Sequence, residues 1–184
     1  MSRQALVIVD FQNDYLPDGR MPLEGIQEAI DQASTLLAAT RLADIPVVHV
    51  RHEFAADDAP FFAPGTAGAA IIDALGPEPH ERVFLKRHPN AFRDTGLHAF
   101  LGGEEIKSLL IIGAMSHVCI DATVRAAVDL GYDVTVAHDA VATRALTFGE
   151  TTVPATHVHA AFMSALAFAY AHVARVQDLL RADK

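Results

Sequence analysis

Short runs of apolar, often β-branched residues recur along the chain and alternate with longer stretches of helical periodicity. Four of these runs are strongly apolar and end at Asp10, Val50, Ala114 and Asp139, and a weaker run, RVFLK, ends at Lys86. Continuous apolar runs of this length are typical of buried parallel strands. The sequence therefore predicts a mostly parallel sheet.

Helical patterns fill the intervals between these strands. They predict helices over residues 24–43 and 119–130, the second closed by Gly131 where a C-cap glycine is expected. Residues 154–174 indicate a long apolar helix, followed by a last strand and a short helix. Alternating strands and helices favour an α/β fold, a doubly wound α/β/α sandwich, and the length of 184 residues favours a single domain over 1–184.

One irregular stretch, residues 53–79, is rich in Ala, Pro, Gly and Phe. A loop of that length inside a compact domain is more often functional than idle. It contains the adjacent pair Phe61 and Phe62, which predicts an apolar pocket wall or a subunit contact.

Composition narrows the choice of partner. Lys and Arg number 14 against 23 Asp and Glu, a formal net charge of −9, which argues against nucleic acid as a partner and favours a small-molecule substrate. No apolar run approaches the roughly 20 residues of a membrane helix, and an acid at Asp10 interrupts any signal-peptide core, so we expect no membrane partner and a cytoplasmic protein. Neither G-x-G-x-x-G nor G-x-x-x-x-G-K-[ST] occurs, which disfavours nucleotide binding.

Three strand ends carry candidate chemistry. Ligands of open α/β sheets gather at the carboxyl ends of the strands, where Asp10 and Lys86 end two strands and Cys119 opens a helix after a third. The start of a helix favours a thiolate, and backbone N–H groups of such a turn can form an oxyanion hole. Each residue also has a plain structural interpretation: Cys119 as core packing, Asp10 as a turn cap and Lys86 as a surface lysine. As the single cysteine, Cys119 cannot form an internal disulfide.

Three ordered motifs resemble those of the isochorismatase-like cysteine hydrolases. ALVIVDFQNDY at 5–15 is similar to the family's strand-one motif with its catalytic aspartate, and KRHPNAF at 86–92 is similar to its lysine motif. The segment GAMSHVCIDATVRAAVDLGYDVTVAHDA at 113–140 resembles its cysteine motif throughout. The motifs occur in the family's order and are distributed across nearly the whole chain.

The resemblance implies a catalytic triad of Asp10, Lys86 and Cys119. Asp10 would take the thiol proton, the thiolate would attack an amide-like carbonyl to form a thioester, and Lys86 would hold Asp10 ionised. The family's oxyanion donors map onto the backbone N–H groups of Met115 and Cys119, with a non-proline cis peptide expected before Met115. The resemblance also implies a homodimer or a higher homo-oligomer.

Departures from related proteins bear on metals and substrate. Nicotinamidases, similar in fold, bind a metal through Asp-x-His after strand two, where this chain has His52 and Phe54, so we expect no metal and no cofactor. Asn90, His117 and Phe62 are the candidate substrate-binding residues. Asn90 could instead make a local turn hydrogen bond, the commoner use of Asn. His117 could equally be a turn residue that faces solvent.

The leading hypothesis is therefore a hydrolase that cleaves a C–N bond of amide, lactam or ureido type in a small molecule through a cysteine thioester. A second hypothesis keeps the fold but uses Asp10 alone for vinyl ether hydrolysis, as in isochorismatases. A third is a family member that binds a ligand or a protein partner without turnover.

Overall fold

Strands and helices alternate along the chain in a computed structural model, which describes residues 3–56 and 58–182. The strands are β1 Arg3–Val9, β2 Val47–His52, β3 Arg82–Lys86, β4 Ile106–Ala114, β5 Asp133–Ala142, β6 Leu146–Phe148, β7 Thr151–Val153 and β8 His172–Ala174. The helices are α1 Ile26–Leu42, α2 Leu97–Gly103, α3 Asp121–Asp129, α4 Ala155–Ala169 and α5 Val176–Ala182. The α1 and α4 helices and the strand and helix that follow α4 match the sequence prediction.

Six strands form one sheet in the order β3-β2-β1-β4-β5-β8, and every neighbouring pair is parallel. The order runs outward in both directions from β1 and β4, which is the arrangement of a doubly wound sheet. The predicted α/β/α fold is confirmed.

Each face of the sheet is covered by its own apolar cluster. Residues of α1 and α5 pack with Leu6 and Ile8 of β1 on one face, and residues of α2, α3 and α4 pack with Val7 and Val9 on the other. Successive side chains of a strand point to opposite faces, so a strand buried on both sides must be apolar at every position. This is why β1 and β4 stand out as continuous apolar runs.

Two features differ from the sequence prediction. The helix expected at Cys119 begins at Asp121, because residues 116–120 form a π-helical turn ahead of α3. Strands β6 and β7 form a short antiparallel hairpin that the pattern did not predict, since each has only three residues and most of them are exposed.

Gly113 lies where β4 comes unusually close to β1. It has φ of +136°, and a Cβ built there would lie 1.9 Å from the carbonyl oxygen of Val9. Only glycine fits at this position, which lies a few residues before the turn that carries Cys119. Among the described residues, no helix has the length and apolarity needed to cross a bilayer.

Candidate active site

Three strand ends place the candidate triad at one edge of the sheet. Asp10 follows β1 directly and has a left-handed backbone with φ of 55°, which turns its side chain out of the strand pattern. Lys86 is the last residue of β3, and Cys119 lies in the π-helical turn after β4. All three are buried, with exposed fractions of 0%, 1% and 6%.

The ammonium of Lys86 is the centre of the arrangement. Its Nζ lies 2.7 Å from Oδ2 of Asp10, 3.2 Å from Sγ of Cys119 and 2.9 Å from Nδ1 of His52. The ammonium thus forms an ion pair with Asp10 and hydrogen bonds with His52 and Cys119. The structure brings together the three residues of the predicted triad and adds a histidine.

Burial and the neighbouring charges set the ionisation of this cluster. Burial raises the pKa of Asp10 above its usual value, although Lys86 opposes the rise. Burial alone would lower the pKa of Lys86, but Asp10 and Cys119 outweigh it and raise that pKa. Lys86 is thus the fixed positive charge, and Asp10 holds a proton more readily than an exposed aspartate.

The expectation of a resting thiolate is wrong. Burial raises the pKa of the Cys119 thiol, and the nearby carboxylate of Asp10 raises it further, while Lys86 only partly compensates. The sequence argument relied on the helix start, but α3 begins two residues after Cys119, and the buried sulfur lies within 4.8 Å of a carboxylate oxygen of Asp10. In the free protein the thiol is protonated.

The turn that carries Cys119 is held by several hydrogen bonds. The peptide bond between Ala114 and Met115 is cis, as the resemblance implied. The carbonyl of Met115 accepts hydrogen bonds from the backbone N–H groups of Val118 and Ile120. The hydroxyl of Ser116 lies 2.8 Å from Nδ1 of His159 on α4. The sulfur is thus carried by a fixed backbone.

A small cavity of about 130 Å³ opens onto the sulfur. Asp10, His52 and Cys119 line it, with Arg87 and Pro89 beside them. Its remaining walls are largely apolar and come from Tyr15, Phe54, Phe61, Phe62, Met115 and Val118. The cavity suits a small molecule with an apolar body.

The long loop 53–79 supplies part of this wall. Gln12 fixes it, because its Nε2 donates to the carbonyls of His52 and Ala69. The carboxylate of Asp14 accepts a hydrogen bond from the backbone N–H of Phe62. The loop therefore closes over the site, and Phe62, predicted to bind substrate, is a buried cavity wall.

The other two predicted substrate-binding residues do not line this cavity. Asn90 accepts a hydrogen bond from the backbone N–H of Phe92, which makes a local turn, and it faces a separate surface depression. His117 lies 2.6 Å from the Thr143 hydroxyl through its Nδ1. One polar atom of each side chain is engaged by a neighbouring group, and a role of Asn90 or His117 in substrate binding stays a prediction.

Comparison with known proteins agrees with this geometry. The sequence profile of the isochorismatase domain family matches residues 4–178. The chain belongs to the isochorismatase family of hydrolases. The isochorismatase family protein YddQ of Bacillus subtilis is 44% identical over 177 residues, with 96% of this chain and 98% of that protein covered. A crystal structure of an isochorismatase-family protein from Oleispira antarctica superposes with a TM-score of 0.94 at 52% identity, covering 98% and 97% of the two chains.

A relative with a named activity is the streptothricin hydrolase of Streptomyces noursei. It is 36% identical over 142 residues, which cover 76% of this chain and 50% of that protein. The similarity therefore concerns half of the relative's length.

Within this isochorismatase-family site, His52 is the residue that sequence reasoning missed. Asp10, His52 and Cys119 each offer a metal-ligand atom within 4.8 Å of the others. Lys86 already contacts one atom of each, so its ammonium fills the position between them. The signal for His52 was present in the sequence, since it ends β2 at the same edge where Asp10 follows β1.

Proposed function

We propose that this protein is a cysteine hydrolase that cleaves a C–N bond of an amide, lactam or ureide in a small molecule. The observation that carries the proposal is the contact of the Lys86 ammonium with both Asp10 and Cys119, at the floor of a largely apolar cavity. The similarity to streptothricin hydrolase supports an amide-type substrate.

The first half of the reaction forms a thioester. The thiol proton of Cys119 passes to Asp10 as the sulfur attacks the carbonyl carbon, because the raised pKa of Asp10 makes it a better base than an exposed aspartate. Backbone N–H groups of Met115 and Cys119 stabilise the oxyanion. The C–N bond then breaks, and the leaving nitrogen takes the proton from Asp10.

The second half hydrolyses the thioester. Asp10 accepts a proton from water while the water oxygen bonds to the acyl carbon, the C–S bond breaks and the sulfur recovers the proton. Lys86 stays protonated throughout and holds the carboxylate beside the sulfur. Both halves balance with groups of the chain, the substrate and one water molecule.

Mass spectrometry and alkylation test the covalent step. Purified protein is screened against amides, lactams and ureides, and wild-type reactions are quenched with acid before steady state so that an acyl-enzyme on Cys119 is detected by its added mass. Since the chain has one cysteine, iodoacetamide labels this thiol alone. Turnover that survives both Cys119→Ala and alkylation would contradict the thioester mechanism.

One observation favours a second candidate function. The raised pKa of Asp10 also suits a general acid, which could protonate a vinyl ether so that water adds and the C–O bond breaks. In that reaction Cys119→Ala retains activity and Asp10→Asn abolishes it. A protein inactive on every compound class but able to bind them would instead support the non-catalytic alternative.

Homo-oligomerisation stays a prediction, and the surface offers a place for it. Phe168 on α4 is 91% exposed, and several alanines of the same helix are exposed as well. We propose that a second copy of the chain covers this surface. Light scattering of the wild type and of Phe168→Glu tests it: a monomeric wild type would contradict the proposal.

A further inference from the structure

His52 is a buried polar residue that the proposed reaction does not use. It ends β2, is 6% exposed and lines the same cavity as the sulfur. Its ring packs against Phe54 and Phe62, with ring centroids 4.7 and 6.1 Å away. Because the ring is buried between aromatic side chains, each of its two nitrogens is expected to have a hydrogen-bond partner.

The contact with Lys86 fixes the proton on the His52 ring. An ammonium group has hydrogens to donate and no lone pair, so Nδ1 of His52, 2.9 Å from Nζ, must be the acceptor. Burial and the positive charge of Lys86 lower the pKa of His52 to about 3, so the ring is neutral. The ring proton therefore resides on Nε2.

That Nε2–H has no partner within the part of the chain that the structure describes. The atom is buried, and no side chain or carbonyl of those residues accepts its hydrogen bond. Buried donors in folded proteins are nearly always satisfied, and those left open are concentrated where a ligand supplies the missing acceptor.

We propose that His52 is a substrate-binding residue whose Nε2–H donates a hydrogen bond to the substrate. The acceptor is a second oxygen or ring nitrogen rather than the scissile carbonyl oxygen, because that oxygen is assigned to the N–H groups of Met115 and Cys119. This inference rests on the proposed function and narrows its substrate class. The substrate is a small amide-type compound with an apolar body, a second neutral acceptor and no cationic group there, since Lys86 and Arg87 flank the position.

Nitrogen-15 NMR of the imidazole rings tests the tautomer without any turnover. The His52 signals are assigned from their absence in His52→Gln. We expect Nε2 to carry the proton, with no titration from pH 5 to pH 9. A protonated Nδ1, or a ring that titrates near neutral pH, would overturn the inference.

Binding of matched amides tests the donation itself. Benzamide and the three pyridinecarboxamides are titrated into Cys119→Ala, which cannot form a thioester, and affinities are followed by chemical shift. We expect one pyridine isomer to bind about five- to tenfold more tightly than benzamide and to shift the Nε2 resonance of His52. The same titrations in His52→Phe/Cys119→Ala should lose this preference, and in His52→Gln/Cys119→Ala part of it should remain.

The control is His172→Phe/Cys119→Ala, which removes an exposed histidine outside the cavity lining and should keep the preference. Equal relative affinities with and without His52 would overturn the inference. These measurements need no hydrolysis, so they separate a failure of this inference from a failure of the proposed reaction, which the turnover and alkylation experiments report.

Discussion

The molecule holds two buried ionic clusters on neighbouring strands, and their carboxyl groups have opposite pKa shifts. In one, Glu81 is bound by Arg41 and by His49 of β2. In the other, Asp10 is bound by Lys86, which also contacts His52, three residues further along β2. The pKa of Glu81 falls to about 2, whereas that of Asp10 rises.

The difference comes from how completely each carboxylate is satisfied. Burial opposes the charge of both groups, but Glu81 accepts hydrogen bonds from Nε and Nη2 of Arg41, from Nε2 of His49 and from the backbone N–H of Glu78. Asp10 has the ammonium of Lys86, which also contacts His52 and Cys119, and the thiol of Cys119, and these do not offset its burial. A fully bonded carboxylate stabilises a fold, and a partly bonded one remains available to exchange a proton.

The largest expected effect separates the two carboxylates by activity. Asp10→Asn should lower kcat/KM by about a thousandfold or more, because it removes the proposed base and proton carrier. Glu81→Gln, measured at a temperature where it is folded, should change kcat/KM little. Comparable losses in the two variants would contradict the division of roles.

Stability should show the reverse pattern. Glu81→Gln should lower the free energy of unfolding by about 2–3 kcal/mol, because the Arg41 guanidinium loses the nearer and more deeply buried of its two acidic partners. Urea unfolding followed by circular dichroism measures this. Glu104→Gln, which breaks the exposed pair with Arg3, is the control and should cost less than about 1 kcal/mol.

The thiol pKa sharpens the comparison further. Since the charge of Asp10 is one cause of the raised pKa of Cys119, Asp10→Asn should lower that pKa. Ultraviolet absorbance of the thiolate during a pH titration measures the change, and Cys119→Ala supplies the baseline. An unchanged or higher thiol pKa would show that burial alone sets it.

The smallest effect is a pH dependence of stability. Glu81 has a folded pKa of about 2 against an ordinary value of 4.5, so its contribution is complete above pH 4.5 and is lost as the pH falls toward 2. The stability difference between wild type and Glu81→Gln should therefore shrink over that window. A difference that stays constant down to pH 2 would contradict the assigned shift.

Sequence patterns predicted the sheet and the convergence of three strand ends, because both follow from residue type and from the geometry of parallel strands. Asp10, Lys86 and Cys119 could be named since each lies beside an apolar run. The hydrogen bonds of Asn90 with the backbone of Phe92 and of His117 with the Thr143 hydroxyl could not be predicted, because they depend on how the backbone places these groups in space.

The protonation of the site was equally beyond the sequence. A resting thiolate was expected from the helix start, but burial and the carboxylate of Asp10 decide the matter, and both depend on side-chain packing. His52 was not predicted to bind substrate, because that proposal rests on its unsatisfied Nε2 atom. Whether a buried nitrogen finds a hydrogen-bond partner depends on the folded cavity.

The close contact between Gly113 of β4 and Val9 of β1 fixes the spacing of the two strands at this edge of the sheet. A methyl group there would collide with the Val9 carbonyl and push β4 away from β1. Asp10 and the turn bearing Cys119 directly follow these two strands, so the added width would also separate the proposed base, Asp10, from the proposed nucleophile, Cys119. The absence of a side chain at Gly113 thus keeps Asp10 and Cys119 close enough for the proposed proton transfer.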